Sequence, residues 1–395
     1  MRILIYGGSF NPPHLGHAAA AKAAALAIKP DRFLILPDRI PPHKELAKGS
    51  PSAEERLALC RLAFSEVQGA EVSDLELQRS GRSYTSDTVD ILRERYPEDQ
   101  LILLIGTDML LSFESWHRAE DLMRSCTLAV LARENGQQET IRQAIKRLTE
   151  KYGAKFEWIE TQPLPMSSQE IRELLPQRRG RELLAEPVYA EMIRRRLYDA
   201  KPDLTWLQES SFAYLHPKRM PHVRGCAEEA VRLAERWGED PDTAREAGIL
   251  HDITKNLSYT EQLMLCEKYD IINDDAELAN GKLLHAKTGA AFAKDLYGIS
   301  LEIYDAIRWH TTAKPDMTLL EKIIYMADYI EPTRDFPGVD VLRKAAYEDL
   351  DDAMALGLKM SLEDIRSYGE TPYKDSVEAF YWYNNLKGAK YAYTL

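Results

Sequence analysis

Cysteine is scarce in this chain, and the four present (Cys60, Cys126, Cys226 and Cys266) are scattered, with no C-x-x-C pair. Neither a disulfide framework nor a zinc ribbon is indicated. Long apolar runs are missing too. The longest, Ala18 to Ile28, is broken by Lys22 and falls well short of the roughly 18 residues that a membrane span requires. The amino terminus, Met1-Arg2-Ile3-Leu4-Ile5-Tyr6-Gly7, runs straight into a strand-like segment; it lacks the h-region and small-residue cleavage site of a signal peptide, so a cytoplasmic location is expected. Positive charge is also in deficit: Lys+Arg total 51 against 63 Asp+Glu, a net −12. Up to residue 200 the two signs nearly balance, 28 against 29, whereas beyond it there are 23 against 34. General nucleic-acid binding needs a basic face, so it is not expected; a small cationic cluster for a nucleotide phosphate remains compatible.

What is present is a globular composition, 45% hydrophobic and 29% charged, without internal repeats. At 395 residues the chain exceeds one ordinary core, so two domains are expected. Residues 1–200 alternate short apolar runs (Ile3–Tyr6, Arg32–Leu36, Leu101–Ile105, Leu128–Leu131, Phe156–Ile159) with helical stretches (Ala18–Ile28, Ala53–Ser65, Thr85–Arg95, Thr140–Lys151). That grammar predicts an α/β domain: a Rossmann-like parallel sheet, with ligands at the carboxyl ends of its strands. From about 206 only helical periods follow, including one long pattern over Val341–Ser361, and an all-α domain spanning 206–395 is expected. Pro202, taken to end a helix rich in Arg194, Arg195 and Arg196, marks the join.

The segment Gly7-Gly8-Ser9-Phe10-Asn11-Pro12-Pro13-His14-Leu15-Gly16-His17 lies between the first strand and an Ala-rich helix. It is not the dinucleotide fingerprint, whose glycines stand at first, third and sixth positions. A helix starting near His14 presents free N–H groups and its positive dipole end to an anion, while His14 and His17, three apart, share a face and add imidazole donors. Gly16 leaves room for close approach of a nucleotide. Such donors suit the charge developing on a phosphate displaced in line; two histidines so spaced also occur as plain surface or capping residues.

Further segments agree in order and spacing: Ile40-Pro41-Pro42-His43-Lys44, Ser83-Tyr84-Thr85, Ile105-Gly106-Thr107-Asp108 with Trp116 beyond, and Ser167-Ser168-Gln169-Glu170-Ile171-Arg172. Together they resemble the HxGH nucleotidylyltransferases, and among them the nicotinate-nucleotide adenylyltransferases, over essentially all of 1–200. The resemblance implies transfer of AMP from ATP to nicotinate mononucleotide, giving deamido-NAD and pyrophosphate, with Mg²⁺ on the ATP. It places Gly8, Ser9, Phe10, His14, His17, Gly106, Asp108, Ser168 and Arg172 around ATP, with His14 and His17 catalytic and Ser168 capping a helix that faces the phosphates. Lys44 then suits the acceptor phosphate, Trp116 stacks on the nicotinate ring and Thr85 bonds its carboxylate. Trp116 as plain core, Asp108 as a helix cap, and His43 and His117 as solvated loop residues remain alternatives. Gln169 stands where the family usually has Thr.

Five of the nine histidines follow residue 210. His222, His251 with Asp252, His285, His310 and Asp328 mostly follow apolar neighbours, where a polar side chain is costly to bury unless partnered; convergence of these residues points to a metal. Imidazole and carboxylate without cysteine point to Fe, Mn or a similar ion rather than structural zinc. The pattern resembles the HD metal-dependent phosphohydrolases. With Arg219, Gly248 to Lys255, Arg308 to Thr312 and Ala327 to Pro332, it resembles the bacterial symmetrical diadenosine tetraphosphate hydrolases. What this implies is cleavage of diadenosine tetraphosphate to two ADP at a di-iron centre. Asp252 would bridge and act catalytically, His222, His251 and Asp328 would hold one ion, and His285 and His310 the other. Arg219, Lys255 and Arg334 become candidate phosphate anchors, with solvated or paired surface residues as the alternative. Pro221 puts His222 in the first turn of its helix. Hydrolysis of another nucleotide, or a metal-stiffened regulatory module without turnover, are the rival readings. The sequence leaves open the oligomeric state and the choice between nicotinate and nicotinamide nucleotides.

Overall fold

Ile3, Leu4 and Ile5 expose almost nothing, and neither do Leu101 to Ile105; unbroken apolar runs of this kind are strands covered on both faces. In the computed structural model they belong to the first and fourth of six strands: β1 (Arg2–Gly8), β2 (Arg32–Pro37), β3 (Ala70–Val72), β4 (Gln100–Gly106), β5 (Thr127–Arg133) and β6 (Lys155–Thr161). Every pairing is parallel, and the order is β3-β2-β1-β4-β5-β6. The structure describes all residues except 43–44, 134–137, 162–163, 165, 275–276, 279–280 and 394–395. It divides into two units, Met1–Lys201 and Pro202–Leu395.

The strand order of the first unit reverses between β1 and β4, and in such sheets ligands bind beyond the carboxyl ends of the strands at that point. Gly8 and Gly106 end these two strands. The helices are α1 (Leu15–Ile28), α2 (Ala53–Ala63), α3 (Thr85–Arg95), α4 (Thr107–Ser112), α5 (Ala119–Ser125), α6 (Gln138–Tyr152), α7 (Ser168–Leu174) and α8 (Glu186–Arg195). Alanine, the best helix former, dominates α1, and Ala18, Ala21, Ala24 and Ile28 form its buried stripe. Three features depart from expectation. Edge strand β3, with three residues, is too short to show a period, as are α4 and α5. And α8 stops at Arg195, because Arg196 takes a left-handed conformation (φ 51°); it does not run on to Pro202.

The second unit is helical throughout, with no strand among its described residues. Its helices are α9 (Leu204–Phe212), α10 (Met220–Trp237), α11 (Pro241–Leu250), α12 (Tyr259–Lys268), α13 (Leu284–Tyr297), α14 (Leu301–Trp309), α15 (Leu319–Ile330), α16 (Val339–Glu348), α17 (Leu350–Ser367) and α18 (Lys374–Leu386). The pattern read as one helix over 341–361 is broken at Asp349. This residue is extended (φ −155°) and its side chain accepts from Asp352 N, so capping chemistry overrides an uninterrupted amphipathic period. Helices α10 and α11 touch where a Cβ on Gly248 would lie 2.7 Å from Ala227 Cα. That closeness sets the end of α11, and therefore His251, against the first turn of α10. Pro221 occupies that first turn, and His222 follows it.

Candidate active sites

In the first unit, β1 hands over to α1 through the Gly-Ser-Phe loop. His14 is extended and precedes the first helical residue. Its backbone N–H donates to His17 Nδ1 at 3.2 Å, and the two rings stack 3.7 Å apart. Burial lowers the His14 imidazole to about 4, so it is neutral in the free protein, and its buried Nδ1 meets no hydrogen-bond partner. A cavity of about 660 Å³ is lined by His14, His17, Gly106, Asp108, Ser168 and Arg172, six of the expected nucleotide residues. A second cavity, of about 490 Å³, is lined by Gly8, Ser9, Thr85 and Trp116. Trp116 rests on Phe113 with ring centres 4.7 Å apart. Asp108 sits in the first turn of α4, whose cap is Gly106.

Several expected roles change. Phe10 lines neither cavity; it is 2% exposed and meets the His17 ring edge-on at 5.1 Å, so it supports the histidine from beneath. Ser167, not Ser168, caps α7, because the extended residue before the helix is the one whose side chain can reach Glu170 N, at 3.1 Å. Ser168 instead donates to Pro12 O at 2.9 Å, and Arg172 donates to Asn11 O at 2.5 Å. The room left by Gly16 is taken by the His14 ring and Met166, which a Cβ would meet at 3.0 and 3.2 Å. His117 is no free loop residue: its Nδ1 is 3.1 Å from Ser86 Oγ, its ring is 4.3 Å from Tyr84, and it lines the second cavity. Lys44 and His43 lie outside the described residues. Arg56, which carries no sequence signal, is fully buried and donates to Ser9 O at 2.7 Å and to Asp38 O at 2.8 Å. It ties the Gly-Ser loop to the end of β2.

In the second unit the six predicted ligand residues converge. His222 Nε2 is 3.0 Å from Asp328 Oδ1 and 3.4 Å from His251 Nε2. Asp252 presents a different oxygen to each side: Oδ2 is 3.4 Å from His251 Nε2, while Oδ1 is 3.3 Å from His285 Nε2 and 3.5 Å from His310 Nε2. The ring orientations have a backbone cause. Nδ1 of His251, His285 and His310 meet the carbonyls of Gly248, Lys282 and Ile307 at 2.7, 2.6 and 2.7 Å. A carbonyl only accepts, so each Nδ1 carries the hydrogen and each Nε2 lone pair faces inward, as metal ligation requires. Burial lowers His285 to about 4, keeping it neutral. Asp252 Oδ1 is buried with no hydrogen-bond partner. An orphaned carboxylate oxygen among inward Nε2 atoms is a donor set that fits metal ions, and two groups able to hold one emerge, His222–His251–Asp328 and His251–Asp252–His310.

Arg219, Lys255 and Arg334 line an adjoining cavity of about 220 Å³ with Thr311, Tyr329 and Ser361. None is a free surface cation. Arg219 donates to Asp252 Oδ2 at 2.5 Å, Arg334 to Asp328 Oδ1 at 2.7 Å, and Lys255 Nζ is 3.1 Å from His285 Nε2. Two neighbours were not foreseen. Glu331, wholly buried, reaches His222 Nδ1, and the Thr311 hydroxyl is 3.2 Å from Nε2 of both His285 and His310.

A 3-2-1-4-5-6 parallel sheet with stacked histidines at its switch point, and a helical unit with a buried His/Asp cluster, define a nucleotidyltransferase fold and an HD hydrolase fold in one chain. Residues 5–174 match the cytidylyltransferase-like family and residues 219–333 the HD domain family. A Mycoplasma pneumoniae protein called "Probable nicotinate-nucleotide adenylyltransferase/Ap4A hydrolase" is 30% identical over 90% of this chain and 98% of its own length. The chain belongs to that two-domain family. Each half also has single-domain relatives. Gloeobacter violaceus has a "Probable nicotinate-nucleotide adenylyltransferase", 38% identical over 50% of this chain and 96% of its own length. The symmetrical bis(5'-nucleosyl)-tetraphosphatase of Bacillus subtilis is 40% identical over 42% of this chain and 88% of its own. No helix among the described residues is long and apolar enough to cross a membrane.

Proposed function

We propose that the chain is a bifunctional enzyme: the first unit transfers AMP from ATP to nicotinate mononucleotide, and the second hydrolyses diadenosine tetraphosphate to two ADP. For the first activity the carrying observation is the stacked His14–His17 pair in the same cavity as Arg172 and Asp108. A phosphate oxygen of the acceptor nucleotide forms a bond to the α-phosphorus of ATP while the bond to the β-phosphate oxygen breaks, and pyrophosphate leaves. His14, His17 and Arg172 hold the charge that moves onto the leaving phosphates, with Mg²⁺ accompanying ATP. Ser168 and the Arg56-braced Gly-Ser loop keep those donors in place. Trp116 and Thr85 receive the nicotinate ring, and Lys44 its phosphate.

For the second activity the carrying observation is Asp252, whose two oxygens face separate histidine pairs. His222, His251 and Asp328 would hold one ion, His285 and His310 a second, with Asp252 common to both. Iron is the expected metal. Bound there, the ions supply Lewis acidity and a water of lowered pKa. The chain's own part is to fix the Nε2 lone pairs and to anchor phosphates through Arg219, Lys255 and Arg334. Thr311 stands over His285 and His310. Product identity tests the reading: wild-type protein should yield two ADP, and Asp252→Ala should lose bound metal and turnover together. ATP plus AMP as products would overturn the symmetrical reading, full activity in a metal-free Asp252→Ala protein would overturn the metal role, and no cleavage by metal-loaded protein would leave the regulatory reading in its place.

A further inference from the structure

The nicotinate cavity contains a carboxyl group for which adenylyl transfer has no use. Glu76, in the turn after β3, lines it together with Thr85 and Trp116 and is 6% exposed. Its Oε1 accepts from the Thr88 hydroxyl at 2.8 Å, and Ser83 adds a second hydrogen bond. The nearby arginines bond other groups: Arg79 pairs with Asp87 and reaches the Thr88 hydroxyl at 3.3 Å, Arg39 donates to the carbonyls of Leu77 and Arg79, and Arg56 pairs with Asp38. Among the described residues Glu76 has no ion-pair partner. The other ionisable groups lining the cavity are Asp38, Tyr84 and His117, and Asp38 is a second carboxylate. A buried carboxyl with no ion-pair partner and beside another carboxylate favours its neutral form. Burial pushes Glu76 up to about 7, with Asp38 adding to the rise against the Thr88 and Ser83 hydrogen bonds and the Arg79 charge.

We infer that Glu76 is a specificity-determining residue of the adenylyltransferase site, which receives the acceptor ring as a neutral acid and donates its proton in a hydrogen bond to the nicotinate carboxylate. The inference rests on the adenylyltransferase reading above. Once ionised, Glu76 repels that carboxylate, whereas the amide NH₂ of a nicotinamide ring can donate to it. Preference for the acid nucleotide over the amide therefore falls as pH rises. With Glu76 titrating near 7, its neutral fraction drops about tenfold between pH 6 and pH 8.

The experiment measures kcat/KM for nicotinate and for nicotinamide mononucleotide, with ATP, from pH 6 to pH 8. The ratio of the two cancels ionisation of the phosphate that both carry. In the wild type the acid-to-amide ratio is expected to fall about tenfold; in Glu76→Gln, which keeps shape and hydrogen bonds but cannot ionise, it should stay level. A level wild-type ratio, or an unchanged slope in Glu76→Gln, overturns the assignment. Should that variant fail to fold, calorimetry of the wild type in buffers of different ionisation enthalpy decides. At pH 7, binding of the acid nucleotide should take up about half a proton more than binding of the amide, and equal uptake overturns the assignment. Absence of deamido-NAD at every pH would defeat the adenylyltransferase reading itself, while deamido-NAD formed with a level ratio defeats only the role of Glu76.

Discussion

Glu331 Oε1 lies 3.0 Å from Nδ1 of His222, a residue 109 positions earlier in the chain. Glu331 caps the carboxyl end of α15 and His222 stands in the first turn of α10, and a Cβ on Gly225 would sit 2.5 Å from the other carboxylate oxygen, so α10 is shaped to admit it. The carboxylate fixes the His222 tautomer and raises its basicity as a ligand. Glu331→Gln should weaken metal retention by about 10–100-fold, read as metal content after dialysis against graded chelator. Wild-type retention would show that Glu331 does nothing for the cluster.

His17→Ala should lower adenylyl transfer by on the order of 100-fold, the usual loss when a preorganised transition-state donor is removed. Hydrolysis of diadenosine tetraphosphate by the same preparation should be unchanged, and an unaltered melting transition of the first unit guards against misfolding. Near-normal deamido-NAD synthesis in His17→Ala would remove the histidine loop from the mechanism.

His14 gives stability a pH dependence. The folded protein holds its imidazole at about 4 against an ordinary 6.5, so between those values the unfolded chain binds a proton that the folded one does not. Stability at this site is full above pH 6.5 and falls as pH drops towards 4; at pH 5 the loss is about 2 kcal/mol. Calorimetry, following the transition that ATP raises, should show the wild type losing more stability than His14→Gln between pH 7 and pH 5. Parallel losses in the two proteins would contradict the burial argument.

If each unit owns its core, fragments 1–201 and 202–395 should each fold cooperatively, the first keeping adenylyl transfer and the second hydrolysis. Insoluble fragments, or fragments inactive in both assays, would show that the halves share what stabilises them.

The sequence by itself determined the class of each half. Short continuous apolar runs such as Leu101–Ile105, alternating with helical periods, read as strands buried on both faces, and the spacing from His14 to His17 and from His251 to Asp252 carries chemistry that local geometry already orients. Periodicity likewise located α3 at its observed limits, Thr85–Arg95. It could not foresee breaks made by a single residue's backbone, as at Asp349 and Arg196, because an amphipathic pattern runs through both without a mark.

Only the tertiary structure decided which residues hold the ligands in place. Arg56, Glu76 and Glu331 stand among exposed-looking polar residues, and nothing local separates them from solvated charges. Their burial comes from distant segments closing over them: Ser9 and Asp38 around Arg56, Thr88 over Glu76, His222 against Glu331. The two-sided disposition of Asp252 belongs here too. Sequence names a carboxylate among histidines, but which oxygen meets which ring depends on how closely α10 and α11 pack, and a missing Cβ at Gly248 sets that distance.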